Sequence, residues 1–198
     1  MNGFYTFEGI DGSGKSSVMK KAARLLKERG VAVEVTREPT GTWLGKAVVR
    51  SYGEPVSRFT EALLFMADRA THCDRIRAWI DDGKIVLSDR FTLSTVAYQG
   101  DSLAKAFGGP EKAMDYLLSA HAPFALEPER VFLFDIDPRV GLERVTRRGR
   151  LTKFEKLEYL SRVRRNYLKL AEGAKNVTVI DASRPMDVVL AEVMKTFK

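Results

Sequence analysis

Eight residues near the start of the chain, Gly9-Ile10-Asp11-Gly12-Ser13-Gly14-Lys15-Ser16, spell G-x-x-x-x-G-K-[ST] directly after an apolar run, Phe4-Tyr5-Thr6-Phe7. Glycines let successive backbone N–H groups turn inward around a di- or triphosphate without a Cβ clash. Lys15 adds a point charge at the β- and γ-phosphates, and the Ser16 hydroxyl is offered to Mg2+. From Ser17 to Arg29 the positions Val18, Ala22, Leu25 and Leu26 share one face, so the loop ends at the positive end of a helix. Strand, loop and helix in that order mark Gly9 to Ser17 as a nucleoside triphosphate site. The competing reading is a glycine-rich turn with a solvated lysine.

Further chemistry-bearing residues follow three other short apolar runs. Arg37 comes after Val31–Val35, Asp89-Arg90 after Ile85–Ser88, and Asp135-Ile136-Asp137 after Val131–Phe134. One lysine and one loop already serve a triphosphate, so Arg37 and Arg90 point to a second phosphate; the alternative for Arg37 is a surface pair with Glu38. Asp89 fits either a place beside Mg2+ or a cap on the following helix, and Asp135 and Asp137 read as turn residues. Glu61, Phe65 and Arg69 are spaced i, i+4, i+8 and share a helix face, as do Ser94 and Tyr98. A ring with a guanidinium one turn on makes a base pocket, although an aromatic core residue and a solvated arginine satisfy the same spacing.

These residues need a scaffold that brings strand ends together. Strand, helix and strand over the first thirty-odd residues form a βαβ unit with Gly30 at the helix end, which predicts a right-handed crossover and parallel strands. Helices are expected at Trp43–Tyr52, at Arg58–Asp81 with Ser57 as N-cap, at Phe91–Tyr98 and at Glu111–Ser119. Gly100 and Gly108-Gly109-Pro110 bracket an expected polar loop. Arg139–Arg148 and Lys153–Leu170 read as helices around a basic loop, followed by a strand at Val177–Ile180 and a helix from Pro185 to Phe197. The alternation predicts an α/β fold of the P-loop NTPase kind: about five parallel strands, helices on both faces, and ligands beyond the carboxyl ends of the strands.

With 198 residues and 44% hydrophobic content, the chain is expected to form a single domain over residues 1–198. No apolar run reaches a membrane span, and Glu8 and Asp11 interrupt the place of a signal peptide, so a cytoplasmic protein is expected. One cysteine, Cys73, excludes an internal disulfide, and His72-Cys73 lacks a second pair at zinc-ligand spacing. The net charge of +7 calls for an anionic partner, and Arg139 to Lys169 holds eleven Lys/Arg against three Glu. Within it, Arg147-Arg148-Gly149-Arg150-Leu151-Thr152-Lys153 is a candidate lid (residues 147–153), basic and glycine-containing between two helices.

Taken together, these residues resemble the thymidylate kinase family, which phosphorylates dTMP with ATP. The resemblance runs nearly end to end. It rests on Phe7-Glu8-Gly9 with the phosphate loop, Thr36-Arg37-Glu38-Pro39, and Glu61 with Leu64-Phe65, Ala67-Asp68-Arg69 and His72. Asp89-Arg90 with Ser94 and Ala97-Tyr98-Gln99, and Arg148-Gly149 with Leu151, complete it. It implies that Arg37 and Arg90 hold the 5′-phosphate, Phe65 stacks on thymine and Arg69 bonds a thymine oxygen. Asp11 would lie near the sugar and acceptor phosphate, with Thr95, Tyr98 and Gln99 lining base and sugar. It also implies a homodimer; from the residues themselves no stable nucleic-acid partner and no membrane are expected. The chain departs from the family pattern at Phe91, Thr95 and Leu151-Thr152-Lys153. Ser13 stands where some relatives carry an arginine, so Arg148 and Arg150 join Lys15 and Arg90 as the expected catalytic cations, with Mg2+ at Ser16 and Asp89.

Rival readings are a deoxynucleoside kinase or another monophosphate kinase, a nucleic-acid-dependent ATPase and a P-loop scaffold. A 5′-hydroxyl acceptor would need a carboxylate base such as Asp11 or Glu38. A nucleic-acid track would need exposed stacking aromatics, of which the basic segment offers few, Tyr159 and Tyr167 among them.

Overall fold

A computed structural model describes residues 2–147 and 156–197. Five strands, β1 (Gly3–Glu8), β2 (Val33–Arg37), β3 (Ile85–Asp89), β4 (Arg130–Asp135) and β5 (Val177–Asp181), form one parallel sheet in the order β2-β3-β1-β4-β5. The helices are α1 (Lys15–Glu28), α2 (Trp43–Ser51), α3 (Arg58–Asp81), α4 (Thr92–Phe107), α5 (Pro110–His121), α6 (Pro138–Thr146), α7 (Leu157–Ala171) and α8 (Met186–Met194), with a closing 3-10 turn at Lys195–Phe197. None of the described helices is long and apolar enough to cross a membrane.

Parallel strands covered on both faces carry apolar residues without alternation. In β4, Val131, Phe132, Leu133 and Phe134 are all buried. Successive side chains then serve different layers. Tyr5, Phe7, Ile85 and Leu87 pack into the cluster that holds Met19, Ala22 and Leu26 of α1 and Val189 and Val193 of α8, whereas Phe4 and Val86 meet Cys73 and Ile76 of α3 and Phe91. β1 and β3 are central, so the loops leaving them are fixed by neighbours on either side. The phosphate loop leaves one and Arg90 leaves the other.

Several boundaries differ from expectation for identifiable reasons. β2 starts at Val33 because Val31 belongs to the end of α1: Gly30 (φ 78°) donates to the Lys27 carbonyl and Val31 to the Leu26 carbonyl, the paired bonds of a Schellman cap. α1 begins at Lys15, two residues earlier than expected, with Gly14 as its N-cap. The largest correction is α4, which runs on through Gly100 to Phe107, across the segment expected to be a loop. A Cβ at Gly100 would lie 2.6 Å from Met114 Cγ, so the glycine is a close-packing point between α4 and α5 and not a break. Asp137 caps α6 by accepting from the Arg139 N–H at 2.8 Å, and Asp135 makes a two-pronged pair with Arg164 of α7 (2.6 and 2.8 Å), so neither is a mere turn residue. The expected first turn of α7 lies outside the described residues.

Two glycines test this packing. A Cβ at Gly45 would sit 2.0 Å from the Thr40 carbonyl oxygen, a backbone atom, whereas the obstacle at Gly100 is a side-chain atom, the Cγ of the buried Met114. Gly100→Ala should cost no more than about 2 kcal/mol, since helix propensity offsets part of the repacking around Met114. Gly45→Ala should lower the thermal midpoint clearly more; equal midpoints would show that the backbone at Thr40 yields as readily as Met114, which the geometry denies.

Candidate active site

The phosphate loop starts where β1 ends. Gly9 (φ 135°), Gly12 (φ 80°) and Gly14 (φ 88°) all adopt backbone that favours glycine. The tightest is Gly12, where a Cβ would stand 2.1 Å from the Gly141 carbonyl oxygen of α6; from the other side, a Cβ at Gly141 would stand 2.7 Å from the Asp11 carbonyl. Lys15 follows, only 5% exposed. Burial and the Arg90 charge lower its pKa, while Asp89, Asp11 and Glu8 pull it back. The Ser16 hydroxyl donates to Asp89 Oδ2, and Asp89 Oδ1 is buried without a hydrogen-bond partner. A hydroxyl and a carboxylate with an unused oxygen are hard donors that fit a magnesium ion. Among the described residues no cluster of three or more His, Cys, Asp or Glu side chains is placed to hold a metal, so the remaining ligands would be phosphate oxygens and water.

A cavity of about 340 Å³ opens beside the loop, lined by Lys15, Asp11, Arg37, Arg90, Phe65 and Arg69 among others. Arg90 is held on every side. Its backbone is left-handed (φ 73°) and its N–H donates to the Phe7 carbonyl. Its guanidinium donates to Asp11 Oδ1 at 2.8 Å and Ser94 Oγ at 3.0 Å and lies over the Tyr98 ring at 5.1 Å. Burial opposes ionisation of Asp11, but the Arg90 and Lys15 charges outweigh it and hold the carboxyl below its usual range. Glu8, at the end of β1, is fully buried and accepts from the Phe91 N–H (2.9 Å) and Ser94 Oγ (2.5 Å), so it fixes the start of α4 behind Arg90. Its own pKa is pushed up by burial, against the pull of Ser94 and Arg90.

Arg37 is exposed, and among the described residues no carboxylate pairs with it. The surface pair with Glu38 does not form, because adjacent residues of an extended segment point to opposite sides. Glu38 turns inward instead, to Arg69 and to His72 at 2.9 Å. The loop that follows is tied down by Asp68, which accepts from the Thr40 N–H at 2.8 Å and from the Thr40 and Thr42 hydroxyls. Gly45 abuts this same loop at Thr40, one residue beyond Pro39, which lines the cavity.

Neither half of the core-ring and solvated-arginine reading holds. Phe65 is half-buried on the cavity wall, with the Tyr52 ring 6.4 Å away, and Arg69 is 1% exposed within a hydrogen-bonded network. Thr95, Tyr98 and Gln99 line the same cavity. Tyr98 reaches Asp11 Oδ2 at 3.4 Å, and Gln99 Nε2 donates to Glu61 at 3.3 Å.

Other contributors escape a reading of the sequence. A second cavity of about 420 Å³ lies outside the phosphate loop, between Gly12, Gly14, Arg144, Ser183 and Met186, and Arg144 donates to the Gly12 carbonyl at 3.3 Å. Arg144 is hidden in a basic run; Tyr52 and His121 carry no local signal. Of the expected lid, Arg147 is exposed and paired with Glu143 at 2.6 Å, while Arg148, Arg150, Leu151, Thr152 and Lys153 lie outside the described residues.

Comparison with known proteins places the chain in a family. The family described as thymidylate kinase matches residues 7–193. A probable thymidylate kinase of Methanosarcina mazei is 42% identical over 193 residues, covering 96% of this chain and 92% of that protein. A thymidylate kinase of Geobacillus thermodenitrificans is 39% identical, covering 99% and 90%. A probable thymidylate kinase of Thermococcus kodakarensis is 37% identical, covering 94% and 92%.

Burial and the neighbouring Arg69 charge push His121 down to about 4, against the pull of the Leu117 carbonyl. The unfolded chain takes up this proton near the ordinary value of about 6.5, the folded chain only near 4. Stability therefore falls as pH drops through that window and levels off below it, by on the order of 3 kcal/mol at most. Chemical denaturation of wild type and His121→Asn at pH 7, 5.5 and 4 should give a shallower loss in the variant; parallel losses would refute the assignment.

Proposed function

The chain belongs to the thymidylate kinase family, and we propose that it transfers the γ-phosphoryl group of ATP to dTMP, giving dTDP and ADP. One observation carries the site assignment: Arg37 and Arg90, at the ends of neighbouring strands, line the same cavity as Lys15. A single nucleotide does not need both sets of cations. Two phosphate groups meeting end to end do.

Phosphoryl transfer depends mainly on positioning and on neutralising charge over the transferring oxygens. A nucleotide 5′-phosphate has a second pKa near 6 and is largely a dianion at neutral pH, so it attacks without a base. Arg37 and Arg90 take that phosphate, and Lys15 with the loop N–H groups takes the donor's. Ser16 and Asp89 would hold Mg2+, which supplies further charge neutralisation at the donor phosphates. Phe65 stacks on the base, Arg69, Thr95 and Gln99 meet its edge, and Asp11 and Tyr98 lie toward the sugar. The donor's base belongs in the second cavity, beside Arg144. Arg148 and Arg150 complete the charge on the transferring group.

The deoxynucleoside kinase reading needs a free carboxylate base, yet Asp11 is tied to Arg90 and Glu38 to Arg69 and His72. A nucleic-acid track along α7 is disfavoured because Tyr167 is 1% exposed and Tyr159 is half-buried, donating to the Tyr98 carbonyl at 3.0 Å. Homodimerisation in the cytoplasm belongs to the same proposal. In its support, Trp43 of α2, Phe59 and Leu63 of α3 and Tyr116 of α5 are exposed, with Trp43 at 76%.

An assay of ATP and Mg2+ against a panel of nucleoside monophosphates and nucleosides tests the reaction: dTMP should be the preferred acceptor and thymidine inert. Lys15→Ala should lower kcat by about 10²-fold or more with the circular dichroism spectrum unchanged. Phe65→Ala should raise KM for dTMP by about 5- to 100-fold, the range of lost base stacking, and leave KM for ATP nearly unchanged. Normal dTMP binding in that variant would return Phe65 to a packing role.

A further inference from the structure

Both histidines of the chain sit in one buried string of hydrogen bonds that meets at Arg69. On one side Thr36 Oγ1 lies 2.7 Å from His72 Nε2, His72 Nδ1 lies 2.9 Å from Glu38 Oε1, and Glu38 Oε2 accepts from Arg69 Nη2. On the other side Arg69 Nη1 lies 2.6 Å from His121 Nε2, and His121 Nδ1 lies 2.6 Å from the Leu117 carbonyl. Arg69 Nη2 also donates to Thr95 Oγ1 at 2.9 Å, and the guanidinium lies over the Phe91 ring at 5.1 Å.

The chemistry of the two ends fixes the state of His121. A carbonyl has only lone pairs, so Nδ1 carries the proton; a guanidinium has only protons to give, so Nε2 accepts. His121 is therefore a neutral acceptor facing a buried cation. Arg69 spends three of its five N–H groups on Glu38, Thr95 and His121. Its Nε–H is buried without a partner and one Nη1–H is left over, so the donors that remain are aimed by the bonds already made. Arg69 lines the acceptor cavity and His121 does not, so His121 acts from behind.

We infer that His121 is a positioning residue for acceptor recognition: by accepting from Nη1 it holds the Arg69 guanidinium at the orientation in which its unused donors meet the base of the monophosphate. The inference rests on the reading that Arg69 meets that base. Without the acceptor on α5, the guanidinium keeps Glu38 and Thr95 on Nη2 alone and can turn about that edge. Binding of the base must then restore the orientation, which weakens the acceptor nucleotide and leaves the donor untouched.

Two replacements separate this role from a merely structural one. An asparagine amide reaches the place of Nδ1 and keeps the bond to Leu117, but presents nothing to Arg69; a glutamine amide reaches the place of Nε2 and presents an oxygen there. His121→Asn should raise KM for dTMP about tenfold, the worth of one hydrogen bond to a charged group. KM for ATP and kcat should stay within about twofold, and His121→Gln should return KM for dTMP to within about threefold of wild type. In an Arg69→Ala background, His121→Asn should have no further effect on dTMP. Equal KM values for the two single variants, or an equal loss for both substrates, overturns the positioning role. If Arg69→Ala leaves KM for dTMP unchanged, the base reading of Arg69 fails instead, and that result does not depend on any His121 variant.

Discussion

Cations crowded around one cavity repel one another, and the carboxylates set among them are what the site depends on. Lys15 has Asp89 and Asp11 close by, Arg90 has Asp11, and Arg69 has Glu38. A buried charge without a partner is far more costly than a paired one, so these acids hold the cations in place when no nucleotide is bound. Arg37 is the exception and also the exposed one. The sheet makes the pairing possible. Parallel register places Arg37 opposite Asp89 and Phe7 opposite Asp89 from the other side, so the ends of β1, β2 and β3 fall at one level.

Much of this is legible in the sequence because its causes are local. The phosphate loop is contiguous, and apolar runs ending in charged residues mark the strand ends correctly. α3 can be read as Arg58–Asp81 because Ser57 caps one end and Gly83 follows the other. What escapes has causes elsewhere in the chain. Gly100 looks like a helix break until α5 is laid against it, and Val31 looks like strand until its N–H is seen to belong to the cap of α1. The partner of Glu38 is thirty-one residues away and not one, a choice that only the packing of α3 against the sheet makes.

The buried acids also bear on selectivity in a chain with a net charge of +7. Excess positive charge draws any polyanion. Within the cavity, by contrast, most cations already have partners, so a ligand gains only where its geometry reaches the unpaired donors. Recognition there is a matter of which N–H groups remain, and the long-range field serves the approach.

Gly12 and Gly141 meet backbone to backbone, each too close to the other's segment to admit a methyl group. In most packed pairs a larger residue on one side is tolerated once the other side shrinks, and sequences drift by such exchanges. Here neither side has anything to give up. The two positions are closed to compensatory change, so the phosphate loop and α6 form a joint that directed evolution must leave intact, and variation in donor preference has to come from the residues around it.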